Sequence, residues 1–143
     1  MLAQDLKELL ATQISYAIKA QFFHWNVEGS NFGQLHDFFG KIYSDAYGVV
    51  DQMAEYIRTL DEYAPGSLVR FIELSHIEDQ VRIPGATLML KELSRDNDTL
   101  VALLQKTFES ATAEKNEGIA NFIAERLDVH GKWGWQLKAF LKV

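Results

Sequence analysis

Apolar residues recur every three or four positions along most of this chain, the period of a helix with one buried face. In the first stretch Leu6, Leu10, Ile14 and Ala17 fall on such a face, and helix-forming residues continue to about Glu28. Gly29-Ser30-Asn31 interrupts the pattern, with Ser30 or Asn31 available to cap the next helix. The second stretch is the most regular: Leu35, Phe38, Phe39, Ile42, Ala46, Val49, Met53, Ile57 and Leu60 trace one side of a helix ending near Asp61. Ala64-Pro65-Gly66 and Ile83-Pro84-Gly85 bracket a connection, within which Ser67 to Leu74 reads as a short helix. A third long helix is expected from about Thr87 to Thr112, carrying Leu93, Leu100, Leu104 and Phe108 on one side. After the polar break Lys115-Asn116-Glu117-Gly118 comes a fourth, with Ile119, Ile123, Leu127 and Leu137 on a common face. No strand-like alternation and no internal repeat interrupts this scheme. The pattern predicts one all-α domain over residues 1–143, a four-helix bundle with a crossover and a short extra helix between the second and third long helices.

Composition narrows what such a bundle does. The chain has 143 residues, 48% of them hydrophobic and 24% charged, a globular profile with enough length for one substantial core. No apolar run approaches the roughly 18 residues that span a bilayer, so no membrane partner is expected. The opening Met1-Leu2-Ala3-Gln4-Asp5-Leu6 lacks a basic region followed by an apolar stretch, so no export signal is expected there. Cysteine is absent, which excludes disulfides and thiolate metal sites and accords with a cytoplasmic location. A formal net charge of −6 and the lack of any Lys/Arg cluster argue against binding a phosphate backbone.

Four residues stand out chemically: His24, His36, Asp51 and Glu55. His24 lies six residues before Ser30 and His36 six after it, so an antiparallel hairpin about that turn brings the imidazoles to matching heights. Asp51 and Glu55 are spaced i, i+4 and share a helix face. Imidazole with carboxylate suits iron, zinc or manganese, and the residue types do not choose among them. Asp51 and Glu55 taken alone read as an ordinary solvated face. On one continuous helix His36 and Asp51 would be separated by about 22 Å, far beyond the ~2 Å of a metal bond. A single chain cannot bring all four to one ion. A symmetric dimer can, with the histidines of one subunit meeting the carboxylates of another at two equivalent sites.

The run His24-Trp25-Asn26-Val27-Glu28-Gly29-Ser30-Asn31-Phe32, then His36, Asp51 and Glu55, resembles the signature of the Dps proteins (DNA-binding proteins from starved cells, or miniferritins) of the ferritin-like superfamily. The likeness continues through Leu74-Ser75-His76-Ile77-Glu78 and Trp133-Gly134-Trp135-Gln136-Leu137, over nearly the whole chain. The resemblance implies a ferritin-like bundle assembled from two-fold dimers into a hollow homododecamer. It implies ferroxidase centres in which His24 and His36 of one subunit and Asp51 and Glu55 of its neighbour hold iron. Fe(II) would be oxidised there by hydrogen peroxide, or by oxygen, and stored as ferric mineral. Trp25 resembles the tryptophan beside the family's centre that intercepts stray oxidising equivalents; packing at an interface is its other reading.

Three departures qualify the likeness. Where the family often has an aspartate four residues after the second histidine, this chain has Gly40, and Asp37 is turned ~100° away from His36. Of two iron ions per intersubunit site, the second is therefore expected to be weakly held. At the positions matching the family's pore-lining aspartates stand Glu117 and Asn121, which read equally as an ordinary helix start. The Lys-rich extension of DNA-binding members is missing, so direct DNA binding is not expected. The alternative to an iron-oxidising shell is a structural shell or interaction protein with a vestigial centre. Glu73-Leu-Ser-His76 is a single Glu-x-x-His copy in a connection, and it and His130 read as structural residues.

Overall fold

The computed structural model describes residues 1–143 and is helical throughout. Its elements are α1 (Leu2–Asn26), α2 (Phe32–Gly48), α3 (Val50–Thr59), α4 (Leu68–Leu74), α5 (Ala86–Ala113) and α6 (Glu117–Phe140). The long second helix expected from periodicity is in fact two segments. Val49, at φ −107° and ψ 1°, breaks the backbone ladder between α2 and α3, while Ala46, Met53 and Ile57 stay buried on one side. The apolar pattern runs through the break because both segments follow the same bundle edge; periodicity reports the buried face, not the continuity of the hydrogen bonds.

α1 packs against α2, α3, α4 and α5, and α5 against α6, so α1/α2 and α5/α6 form two antiparallel hairpins joined by the crossover containing α4. The core runs along this interface, from Leu2, Leu6 and Leu9 through Tyr16 and Phe23 on α1 to Leu93, Leu100 and Leu104 on α5. The first hairpin turns at Gly29, whose φ of +114° is open to glycine and costly for other residues. Asn31 stands at the N-cap of α2, but neither it nor Ser30 makes the capping side-chain bond expected there. α6 is capped as the sequence suggests, Asn116 Oδ1 accepting from the Ile119 amide at 3.0 Å. No helix is long and apolar enough to cross a membrane.

Two polar clusters tie the helices together. Lys19 on α1 and Asp96 on α5 pair at 2.7 Å with side chains only 3% and 4% exposed. At the centre, Arg126 on α6 donates two bonds to Asp45 on α2, at 3.0 and 2.7 Å, and Trp133 Nε1 donates a third at 3.0 Å. Burial opposes ionisation of Asp45, but these bonds outweigh it and hold the carboxyl below the usual carboxylate range. His130 donates from Nδ1 to Asn97 Oδ1 at 2.9 Å and accepts at Nε2 from Arg126 at 3.0 Å. Burial, reinforced by the Arg126 charge, pushes its pKa down to about 3 and keeps the ring neutral.

Candidate metal centre

His24 closes the last turn of α1 and His36 sits in the second turn of α2, so the Gly29 turn faces the two residues toward each other. Their rings stack with centroids 3.9 Å apart and planes 15° from parallel. The pairing is reciprocal. His24 Nδ1 bonds the His36 carbonyl at 2.5 Å, and His36 Nδ1 bonds the His24 carbonyl at 2.7 Å. A carbonyl only accepts, so both Nδ1 atoms carry the proton and both Nε2 atoms keep a free lone pair. Fixing the tautomer through Nδ1 and leaving Nε2 to bind is the arrangement that a metal-ligating histidine needs.

The pair belongs to a column of rings. Phe32 stacks on His36 at 5.2 Å, and Tyr43 lies 5.5 Å from His24. Both imidazoles are half-buried in an open groove lined also by Asp37, Gly40, Lys41, Tyr43 and Ser44. Phe32, His36, Gly40 and Ser44 share one face of α2 at four-residue spacing, a regularity visible in the sequence that marks Phe32 and Gly40 as parts of the groove. Asp37 is turned outward, pairing with Lys41 at 3.0 Å on the exposed surface.

Asp51 and Glu55 occupy the first two turns of α3 and are both exposed. They do not join the histidines: no three His, Asp or Glu side chains of the chain converge. The structure thus brings His24 and His36 together and leaves Asp51 and Glu55 facing outward elsewhere. Trp25 follows His24 directly and is 65% exposed. Glu117 and Asn121 lie exposed at the start of α6.

The other histidines are spoken for. His130 uses both ring nitrogens inside the bundle. His76 bonds Glu8 at 2.7 Å from Nε2 and donates its amide to Thr12 Oγ1, fastening the crossover to α1. That bond holds the Glu8 carboxyl below its ordinary value. Glu73 pairs with Arg70 instead of His76, so the Glu-x-x-His spacing has no metal geometry.

Comparison with known proteins gives a consistent picture. A family model described as a ferritin-like domain matches residues 3–143. A DNA protection during starvation protein of Brevibacillus brevis is 28% identical, with 99% of this chain and 95% of that one covered. An uncharacterized low temperature-induced protein of Nostoc is also 28% identical, over 96% of this chain and 78% of its own. Among solved structures, a Dps protein from Bacillus brevis superposes with a TM-score of 0.94 at 28% identity, covering 99% of this chain and 95% of that one. A Dps protein from Vibrio cholerae, described as one of the ferritin-like diiron-carboxylate proteins, gives a TM-score of 0.94 at 26% identity, covering 99% and 89%. With a family match spanning nearly every residue and a backbone shared along its whole length with these structures, the chain belongs to the ferritin-like family, as a member of its Dps branch.

Proposed function

We propose that this chain is an iron-oxidising and iron-storing miniferritin whose catalytic centres lie between subunits. His24 and His36 of one subunit offer two Nε2 lone pairs, and Asp51 and Glu55 of another offer two carboxylates, so that Fe(II) binds as substrate at the junction. Two Fe(II) ions supply the two electrons that, with two protons, reduce hydrogen peroxide to two waters and leave two Fe(III). Oxygen is the alternative oxidant. Consuming peroxide in a two-electron step avoids releasing hydroxyl radical. The ferric product collects in the cavity of a twelve-subunit shell built from two-fold dimers, and Trp25 intercepts stray oxidising equivalents beside His24.

The observation that carries this reading is the reciprocal bonding of His24 and His36. It leaves two adjacent, tautomer-fixed imidazoles with free Nε2 atoms in an open groove, and the chain has no further ligand to complete them. The carboxylates nearest in kind, Asp51 and Glu55, are exposed and therefore available to a neighbour. Membership in the Dps branch supports the same reading, and the chain's net charge of −6 suits a cation carrier better than a nucleic-acid binder.

The test combines light scattering with iron oxidation. Fe(II) is added anaerobically to metal-free protein, then peroxide or oxygen, and ferric absorbance is followed beside a His24→Ala/Asp51→Ala variant. Rapid ferric formation by a large assembly, abolished in the variant, is expected. Oxidation no faster than in the variant would overturn the reading in favour of a shell with a vestigial centre, the alternative that Gly40 raises.

A further inference from the structure

Three buried polar atoms in the middle of the bundle have no hydrogen-bond partner in the chain: Gln13 Oε1, Tyr16 Oη and Arg126 Nε. Their residues are 0%, 0% and 4% exposed, so bulk solvent does not reach them. A polar atom shut away without a partner loses the bonds it makes in water, and the loss is greatest on a charged group such as Arg126.

The three atoms belong to one place. Gln13 and Tyr16 are three residues apart on the buried side of α1. Gln13 Nε2 donates to the Ala46 carbonyl at 3.1 Å, and the adjacent Asp45 holds Arg126 by two bonds. The Tyr16 ring stands edge-on to His130 with centroids 5.9 Å apart, and His130 Nε2 accepts from Arg126 at 3.0 Å. Gln13 and Tyr16 thus bracket the guanidinium, one beside its α2 partner and the other beside its α6 partner.

The bonds already made define what each atom lacks. With Nε2 committed to a carbonyl, the Gln13 amide has one orientation, and Oε1 only accepts. Arg126 Nε–H only donates. Burial, aided by the Asp96, Asp45 and Asp98 charges, pushes the Tyr16 phenol up, so its hydroxyl keeps the proton and can donate or accept. An ion does not suit this place, since a cation would face Arg126 and an anion would face Asp45.

We propose that one buried water molecule binds between Gln13, Tyr16 and Arg126, donating to Gln13 Oε1, accepting from Arg126 Nε–H and bonding the Tyr16 hydroxyl. Three partners is about the usual number for an internal water. Gln13 ties α1 to α2 and Arg126 ties α2 to α6; the water closes the triangle by joining α1 to α6. This site is independent of the iron chemistry proposed above.

High-resolution crystal structures of the wild-type assembly and of Tyr16→Phe test this, with chemical denaturation of both at one subunit concentration. The variant keeps the ring against His130 and removes only the hydroxyl. Wild type is expected to show a water peak within hydrogen-bond distance of all three atoms, and the variant to keep it on Gln13 and Arg126 alone. The folding equilibrium constant of the variant is expected to fall about 3- to 10-fold, the net worth of one hydrogen bond. Absence of the peak from wild type overturns the proposal. So does a variant at least as stable as wild type, the result expected for deleting a hydroxyl that bonds nothing. A crystal soaked in bromide is the control: anomalous signal at this place would put an anion there and equally overturn it.

Discussion

The groove between α1 and α2 and the centre of the bundle both hold histidine, and they use it in opposite ways. In the groove, His24 and His36 each spend one nitrogen on a backbone carbonyl and leave the other free. In the centre, His130 spends both, one on Asn97 and one on Arg126. Histidine count says nothing about which region can bind a metal; the number of uncommitted lone pairs does. The two regions also differ in where their free energy goes. The central network satisfies charges that burial would otherwise penalise, so losing a member costs stability. The groove is half-open, and its two Nε2 lone pairs stay uncommitted.

The largest expected effect comes from breaking the centre. Arg126→Ala leaves Asp45 with only its Trp133 bond and removes the donor to His130 Nε2, and should cost about 3 kcal/mol in chemical denaturation. Co(II) uptake per folded chain should be unchanged; a loss of uptake would show that the two regions are not independent. Next is the pH dependence. His130 titrates near 3 in the fold and near 6.5 when unfolded, so below pH 6.5 the unfolded chain takes up a proton that the folded chain refuses. Stability should therefore be complete above pH 6.5 and fall with pH toward 3, by roughly 2 kcal/mol at pH 5. Asp45, held low by its partners, adds a further loss only below its unfolded value of 3.8. Denaturation midpoints at pH 7.5 and 5 in wild type and His130→Gln test this, the variant losing the component between those pH values.

Smaller effects sharpen the contrast from the groove side. Phe32→Ala uncovers the outer face of His36 and should weaken Co(II) binding by about 3- to 10-fold, with little change in stability because Phe32 is itself largely exposed. Asp37→Asn removes an exposed pair with Lys41 and should shift stability by less than about 0.5 kcal/mol. A larger shift in either thermal melt would mean that the groove supports the fold after all.

Much of this was legible along the chain because helices are local. Leu35, Phe39, Ile42, Met53 and Ile57 announced their buried face, and the symmetric placement of His24 and His36 about Ser30 announced their meeting, since a short antiparallel hairpin leaves little freedom of register. The separation of Asp51 from the histidines was expected from the rise of one continuous helix; the helix is broken at Val49, yet no His, Asp and Glu group converges within the chain. By contrast, the break at Val49 leaves no mark in periodicity, because the buried face passes through it unchanged. The partnership of Asp45, Arg126, His130, Asn97 and Trp133 joins three helices across more than fifty residues of sequence, a distance over which no local pattern operates. Gly40 belongs to the same class. Sequence shows a missing side chain, and only the packing of α1 on α2 reveals that the space is filled by the ring of His24. Which elements form is a matter of residues three and four apart; what fills the gap beside a given backbone atom is decided by whichever distant segment the tertiary fold lays against it.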